Sequence, residues 1–196
     1  MILDISQEVL SCKVFPGDPA PAVECIQSIE QGDSCNLTAF SMCAHNGTHV
    51  DAPSHFVENG KTIGEMGLDP FVGDCYVARF EGNIGAKDAL NIIKKATELY
   101  ADKRILIAGK ATVTADAARI FARSGIKLIG NESQTVGPED SPREVHLILL
   151  GAGIVLLEGI VLTDVSEGKY FLSAAPLNLS GCEGAPCRAY LIKSGA

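Results

Sequence analysis

Two short stretches of the 196-residue sequence contain all four histidines of the chain, and both also carry a carboxylate. The first stretch, from His45 to His55, reads HNGTHVDAPSH and includes three of these histidines and an aspartate. The second begins at His146 and ends at Glu158. Imidazole and carboxylate groups together are ligands that suit zinc, manganese or ferrous iron. The two stretches therefore predict one metal site and favour a metal-dependent enzyme, with hydrolysis as its chemistry.

The spacing of the first stretch predicts a bend in the chain. His45, His49 and Asp51 would all face one side of a straight strand, because their positions have the same parity. Such a strand would separate the two histidines by roughly 13 Å, whereas each ligand lies only ~2.1 Å from a shared ion. The Asn46-Gly47 pair is a strong turn signal that supplies the bend. A helix is disfavoured because Asn-Gly-Thr is a poor helix core. We therefore predict a site on a bend between strands.

The second stretch is predicted to join a helix to a strand. Ser141–Glu144 is a helix-start signal, with serine as the N-cap, proline at the first helical position and glutamate completing a capping box. The helix would extend to Leu150 and place His146 in its first turn and a half. A strand over Ile154–Leu157 would then lead into Glu158. Only tertiary folding can bring these two side chains to the first stretch.

The elements between and around the two stretches indicate the fold class. The first 60 residues are rich in turn formers and predict strands and loops. In the middle of the chain, strands and helices alternate, which predicts a mixed α/β fold with at least part of its sheet parallel. The predicted strands are Val72–Phe80, Arg104–Ala108, Ile126–Ile129 and Arg188–Lys193, and the predicted helices are Lys87–Tyr100 and a segment capped by Thr114 that extends to about Arg123.

Composition and charge exclude several classes of protein. The length fits a single domain over residues 1–196. The net charge of −8 argues against binding to nucleic acid or to an anionic membrane, because both require basic patches. The longest apolar stretch, Leu147–Leu157, is too short to span a bilayer. The seven cysteines show no C-x-x-C spacing, and the N-terminus has no leader pattern, so we expect free thiols and a cytoplasmic location.

Structural roles are open alternatives for some of these residues. A single histidine such as His146 is more often a core or surface group than a ligand, whereas the clustering from His45 to His55 is rarely structural. Glu158 interrupts an apolar segment, where an unpaired buried carboxylate is costly, but it could also face solvent at the end of a strand. The cysteines are better explained as packing residues than as ligands, because none has metal-ligand spacing.

The ordered motifs resemble the cyclase family of metal-dependent hydrolases, whose members include bacterial kynurenine formamidases and, as relatives, isatin hydrolases. The stretch from His45 to His55 resembles the family signature H-x-G-T-H-x-D-A-P-x-H. The resemblance extends over nearly the whole chain. The other matching segments are Asp4-Ile5-Ser6, Phe15–Pro19, His146–Gly153, Leu157–Gly159, Pro176-Leu177 and Gly184–Ala189.

The resemblance implies an α/β fold of the swivelling β/β/α type, in which helices flank a small mixed sheet. It also implies a divalent metal, zinc in preference to manganese, present as one or two ions. Carried over by position, His45, His49 and Asp51 would hold the first ion. Asp51, His146 and Glu158 would hold the second, with Asp51 bridging the two.

The implied activity is hydrolysis of a formamide or amide C–N bond, of the N-formylkynurenine or arylformamide type, by metal-bound hydroxide with His55 as the catalytic acid/base. The alternatives are hydrolysis of a cyclic amide, lactam or lactone at the same site, and a non-catalytic metal-binding module. Gly130–Val136 replaces the family's D-T-P-S segment, so Glu132 and Gln134 are candidates for reshaping the substrate pocket or adding a metal contact. We expect a small-molecule substrate and a homodimer or larger homo-oligomer.

Overall fold

A mixed sheet of nine strands forms the frame of the computed structural model, which describes residues 1–193. The strands are β1 (Ile2–Asp4), β2 (Ala22–Gln27), β3 (Leu37–Ser41), β4 (His49–Asp51), β5 (Val72–Arg79), β6 (Gly82–Ile84), β7 (Arg104–Ala108), β8 (Ala111–Val113), β9 (Leu128–Asn131), β10 (Val155–Glu158), β11 (Gly168–Ser173), β12 (Gly184–Pro186) and β13 (Tyr190–Ile192). The helices are α1 (Ala86–Glu98), α2 (Ala115–Ala122) and α3 (Arg143–Gly151). Short 3-10 turns lie at Ile29–Gln31, Pro53–His55 and Ile63–Glu65.

The centre of the large sheet is parallel and its outer strands are antiparallel. The strand order is β1-β13-β11-β5-β7-β9-β10-β4-β12. Because β5, β7, β9 and β10 run parallel, their carboxyl ends lie at the same edge of the sheet. β4 pairs antiparallel with β10 and with β12, which closes this end of the sheet. The pairs β2–β3 and β6–β8 form two separate two-stranded sheets.

Two apolar cores lie on opposite faces of the sheet. Ile105 and Ile107 of β7 face the core shared with the three helices, whereas Leu106 belongs to the opposite core. That second core also contains Val50 from β4 and Leu191 from β13, which lie near opposite ends of the strand order. Both ends reach one core because the sheet is twisted and curls around it. The result is the predicted α/β class, with a curled mixed sheet flanked by helices.

Every element predicted in the sequence lies within two residues of its observed bounds. Thr114 caps α2 as predicted, since its Oγ1 accepts a hydrogen bond from the Ala117 backbone at 3.3 Å. The start of α3 is different. Pro142 is its N-cap, and no side chain in the described part of the chain caps it. The Ser141 hydroxyl instead donates to Asp140 at 3.0 Å, so the predicted capping box is wrong.

The described residues form a single α/β domain. The expected domain over residues 1–196 includes residues 194–196, which lie outside the described residues. Between residues 1 and 193, no helix has the length and apolar character needed to cross a membrane. The apolar stretch Leu147–Leu157 is divided between α3, a turn and β10.

Candidate metal centre

The bend predicted between the first two histidines is present. Gly47 has a φ of 65°, a left-handed conformation that glycine adopts without steric cost. The turn brings His45 back towards β4, so that its Nδ1 lies 2.8 Å from Oδ1 of Asp51. His49 and Asp51 are in the same strand and point to the same side, with His49 Nε2 at 3.5 Å from Oδ1 of Asp51. The local sequence thus brings these three side chains together.

Strand pairing adds Glu158 to the group. β10 runs antiparallel to β4 with Glu158 opposite His49, and the Glu158 Oε2 lies 3.5 Å from His49 Nε2. Glu158 is only 2% exposed, so the alternative that it faces solvent is wrong. His146 reaches the group from α3, with its Nε2 at 3.3 Å from Glu158 Oε1 and 3.6 Å from Asp51 Oδ2.

The five side chains form two donor sets that share Asp51. One set consists of His45, His49 and Asp51, and the other of Asp51, His146 and Glu158; within each set the donor atoms lie within 4.8 Å of one another. Among the described residues, Oδ2 of Asp51 is buried without a hydrogen-bond partner. Leaving a buried carboxylate oxygen unpaired is costly, and a cation would satisfy it. Nitrogen and carboxylate donors in this arrangement fit zinc or manganese.

Backbone carbonyls orient two of the imidazoles. His49 Nδ1 lies 2.9 Å from the carbonyl oxygen of Gly47, and His146 Nδ1 lies 2.9 Å from that of Pro142. A carbonyl can only accept a hydrogen bond, so each Nδ1 carries a proton and each Nε2 is the nitrogen that faces the carboxylates and is available to a metal. Such contacts fix ring orientation and tautomer at metal sites.

The protonation states also suit a cation site. Burial by itself lowers the pKa of His45, but the hydrogen bond and charge of Asp51 outweigh it and raise the pKa to about 9. Burial by itself raises the pKa of Asp51, but the hydrogen bond from His45 and the charges of the neighbouring histidines hold it far below its usual range. The pKa of Glu158 is also lowered, by His146 and His49, despite burial. The metal-free centre therefore holds protons on imidazoles beside ionised carboxylates, and a bound cation would displace them.

His55 lies beside the centre but outside both donor sets. It ends the 3-10 turn after β4, and its ring stacks on that of His45 with centroids 4.0 Å apart and an interplanar angle of 25°. Its Nε2 is 4.0 Å from Oδ2 of Asp51, and its side chain is 27% exposed. Burial lowers the pKa of His55, which favours the neutral imidazole near pH 7. A neutral, accessible imidazole next to a cation site can accept and return a proton.

The centre lies at the base of a cleft of about 200 Å³. Besides the four histidines and Glu158, the cleft is lined by Phe15, Asp18, Phe56, Gln134, Thr135 and Pro142. Gln134 therefore reaches the cleft, in agreement with its prediction as a residue that could reshape the substrate pocket. Glu132 does not line it, because its carboxylate accepts hydrogen bonds from the backbone of Gly109 at 2.6 Å and of Leu162 at 2.8 Å.

Sequence reasoning from the residues alone missed the aromatic walls of this cleft. Phe15 begins a Pro-Gly-Asp-Pro turn, and Phe56 follows His55 directly. The Phe56 ring meets those of His55 and His146 at centroid distances of 4.4 and 4.6 Å. Adjacency to His55 was the available signal for Phe56, whereas no local signal marks Phe15 as a cleft residue.

A family model described as "Putative cyclase" matches residues 3–138. The chain belongs to the cyclase family of metal-dependent hydrolases. It is 31% identical over 204 residues to the kynurenine formamidase of Erythrobacter litoralis, in a match that covers 97% of this chain and 93% of that protein. The cyclase-family match thus continues beyond residue 138, through the segment that contains His146 and Glu158.

Solved structures agree with this membership in the cyclase family. A predicted metal-dependent hydrolase from Bacillus stearothermophilus is 27% identical, with a TM-score of 0.77 over 97% of both chains. Isatin hydrolase A from Labrenzia aggregata is 20% identical, with a TM-score of 0.82 over 99% of this chain and 94% of that one. At that lower identity the isatin hydrolase likeness concerns the fold alone.

Proposed function

We propose that this chain is a metal-dependent hydrolase that cleaves the C–N bond of a formamide or amide. One observation carries the proposal: two donor sets share Asp51 at the base of a cleft, with His55 beside them and outside both. A closed structural site would use every donor and leave no acid/base group nearby. The placement of His55 therefore favours catalysis over a non-catalytic metal-binding module.

The ligand roles follow from the two donor sets. His45, His49 and Asp51 would hold a first divalent ion, and Asp51, His146 and Glu158 a second, with zinc preferred over manganese. A divalent ion bound there would supply a water of lowered pKa and a positive charge for the carbonyl oxygen. The backbone contacts of His49 and His146 hold these rings with Nε2 towards the carboxylates, so the centre is organised before an ion binds.

His55 would transfer the proton. Its position at the side of the cleft lets it accept a proton from the attacking water and deliver it to the departing nitrogen. Stacking on His45 and edge contact with Phe56 restrict the ring to one orientation. Its Nε2 at 4.0 Å from Asp51 keeps it close to the reacting atoms without making it a ligand.

The substrate we favour is an aryl formamide of the N-formylkynurenine type. Phe15 and Phe56 supply apolar aromatic walls for an aryl group, and relatives at about a third identity are named kynurenine formamidases. The test is hydrolysis of N-formylkynurenine by protein of known metal content, before and after chelation and after zinc or manganese is restored. Turnover that persists in demonstrably metal-free protein would contradict the proposal.

A cyclic amide is the second candidate substrate, with lactams and lactones as variants of the same chemistry. The cleft of about 200 Å³ is small for a ligand site, since such sites usually enclose ~300–1,000 Å³, and this favours a compact ring. Comparing kcat/KM for isatin with that for N-formylkynurenine on one metal-loaded sample separates the two. A ratio above one for isatin would move the assignment to ring opening.

We also propose that the chain forms a homodimer or a larger homo-oligomer. The hairpin of β2 and β3 supports this, because among the described strands these two pair only with each other. Its exposed apolar side chains are Val23, Ile26, Leu37 and Phe40. An isolated two-stranded hairpin is marginally stable in water, and its exposed apolar side chains, including the cross-strand pair Val23 and Phe40, favour cover by a partner chain.

Light scattering tests the proposed assembly. We expect an oligomer for the wild-type chain and a shift towards monomer for a Leu37→Ser/Phe40→Ser double variant. Leu90→Ser on α1 is the matched control, since Leu90 is also an exposed apolar residue at 56%. A wild-type chain that is monomeric at every concentration contradicts the proposal.

A cytoplasmic location is our proposal for the compartment. The described chain contains seven cysteines, all of them free. Free thiols, two of them exposed, persist in a reducing environment. Cell fractionation against a periplasmic marker tests this, and recovery of the chain in the periplasmic fraction would contradict it.

A further inference from the structure

Glu183 contacts His45 from outside the two donor sets. Its Oε1 lies 3.3 Å from Nε2 of His45, while Nδ1 of the same ring lies 2.8 Å from Asp51. An imidazole that binds a metal through one nitrogen carries a proton on the other. Because Nδ1 faces the centre and Nε2 faces Glu183, a bound cation would take Nδ1 and leave Nε2–H to donate to the glutamate.

This contact completes a pattern that the other two metal-centre histidines already show. His49 and His146 each direct their second nitrogen to a backbone carbonyl at 2.9 Å. His45 has a carboxylate in the equivalent role, and the Glu183 side chain is 45% exposed. Of these three rings, His45 is therefore the one whose orientation depends on a side chain, which a mutation can remove. A charged acceptor also makes the imidazole a stronger metal ligand.

Backbone pairing with β4 places Glu183 next to the His45 ring. Its carbonyl oxygen accepts a hydrogen bond from the Ala52 backbone at 2.8 Å, just beyond the end of β4. The next residue, Gly184, begins β12 opposite Asp51. A Cβ at Gly184 would come within 2.6 Å of Cε1 of His45, so the glycine allows the strand to pack directly against the ring. Pairing of β12 with β4 thus sets both the ring position and the carboxylate that faces it.

We propose that Glu183 is a positioning residue of the first metal site, and that it accepts a hydrogen bond from Nε2–H of His45 and so holds Nδ1 towards the ion. The inference rests on the proposed metal site formed by His45, His49 and Asp51. Glu183 itself neither binds the ion nor reaches the cleft.

Metal affinity of the full chain, stripped of metal, is the main test. Competition of Zn²⁺, and separately Mn²⁺, against a chromogenic chelator would give the affinity of each site. Glu183→Ala should weaken one site by about 10–100-fold and leave the other unchanged. Glu183→Gln, which keeps an acceptor oxygen but loses the charge, should show a smaller loss. Glu98→Ala is the matched control, because Glu98 is an exposed glutamate on α1 whose removal changes net charge equally.

Ring tautomer provides a readout that a merely structural role would not change. In zinc-loaded wild-type protein, ¹⁵N spectra of the imidazoles should show His45 protonated at Nε2, opposite to His49 and His146, which are protonated at Nδ1. The Glu183→Ala variant should lose the slow exchange of that Nε2 proton, while metal-free protein should melt within about 2 °C of wild type.

Three results would overturn the inference. Affinity of Glu183→Ala within twofold of wild type at both sites excludes the positioning role, as does His45 protonated at Nδ1 in the loaded protein. These two leave the proposed hydrolase intact. A wild-type chain that binds neither Zn²⁺ nor Mn²⁺ contradicts the metal site itself, and the role of Glu183 with it.

Discussion

The metal cleft and a second groove lie at the same edge of the sheet, beyond the carboxyl ends of its parallel strands. The second groove, here the Glu132 groove, is the larger, at about 920 Å³ against about 200 Å³. It is lined by Arg79, Glu81, Gly109, Lys110, Ala111, Thr112, Glu132, Ser133, Glu139 and Thr163. Both regions therefore combine a concave surface with carboxylates, and size alone would select the wrong one.

The difference lies in the partners of the carboxylates. Glu132 accepts hydrogen bonds from two backbone N–H groups, and Arg79 donates to the carbonyls of Thr163 and Val165 at 3.0 Å. These charges hold loops together. In the metal centre, Asp51 Oδ2 has no hydrogen-bond partner in the described chain. Glu158 faces two imidazoles, although its Oε1 also accepts a hydrogen bond from the Val136 backbone at 2.8 Å. A carboxylate whose two oxygens both accept from backbone N–H groups supports structure, whereas one that also faces imidazoles is available for a cation.

The largest expected effect comes from neutralising the shared aspartate. Asp51→Asn removes a donor from both sets, so bound metal should be lost and kcat/KM should fall by roughly a thousandfold or more, equivalent to about 4 kcal/mol. Elemental analysis and turnover measure this, with circular dichroism as the folding control. Full occupancy of two ions in the variant would contradict the shared role of Asp51.

His55→Gln should separate proton transfer from metal binding. Because His55 is outside both donor sets, metal content should stay at the wild-type level while kcat falls by about 10²–10⁴-fold. The measurement is steady-state kinetics on samples of matched metal content. If turnover were preserved, His55 would have no part in proton transfer.

Glu132→Gln tests the structural role assigned to the carboxylate of the Glu132 groove. An amide NH₂ would replace one carboxylate oxygen that accepts from the backbone of Gly109 or Leu162, so the free energy of unfolding should drop by about 1–3 kcal/mol. Metal affinity and kcat should be unchanged. Urea denaturation of metal-free protein measures the first, and the same chelator competition measures the second. A tenfold loss of metal affinity would show that the two regions are not separate.

Glu81→Ala should have the smallest effect. Glu81 is exposed, and its carboxylate accepts from the backbone of Lys110 at 3.3 Å. We expect a change in unfolding free energy below about 0.5 kcal/mol and no change in activity. A substantial loss of activity would assign a functional role to the Glu132 groove and would end the contrast drawn between the two regions.

The features that could be predicted from the sequence are those that depend on local chemistry. The bend at Gly47, the same-side placement of His49 and Asp51, and the ends of α3 and β10 all depend on turn preference and side-chain alternation over a few residues. The donor types and spacing already indicated a metal, and the alternation of strands and helices indicated the α/β class. The capping box at Ser141 failed because competing local hydrogen bonds, here with Asp140, are close in energy.

The meeting of the two histidine-containing stretches depends on long-range packing and could not be predicted from either stretch. Glu158 reaches His49 because β10 pairs with β4 in one register, and Glu183 reaches His45 across 138 positions of sequence because β12 pairs with β4 on its other side. Phe15 joins the cleft without any local signal. Burial of apolar surface drives these pairings, and that force is non-directional. The register and the final neighbours are therefore set by packing of the whole sheet, which no short segment encodes.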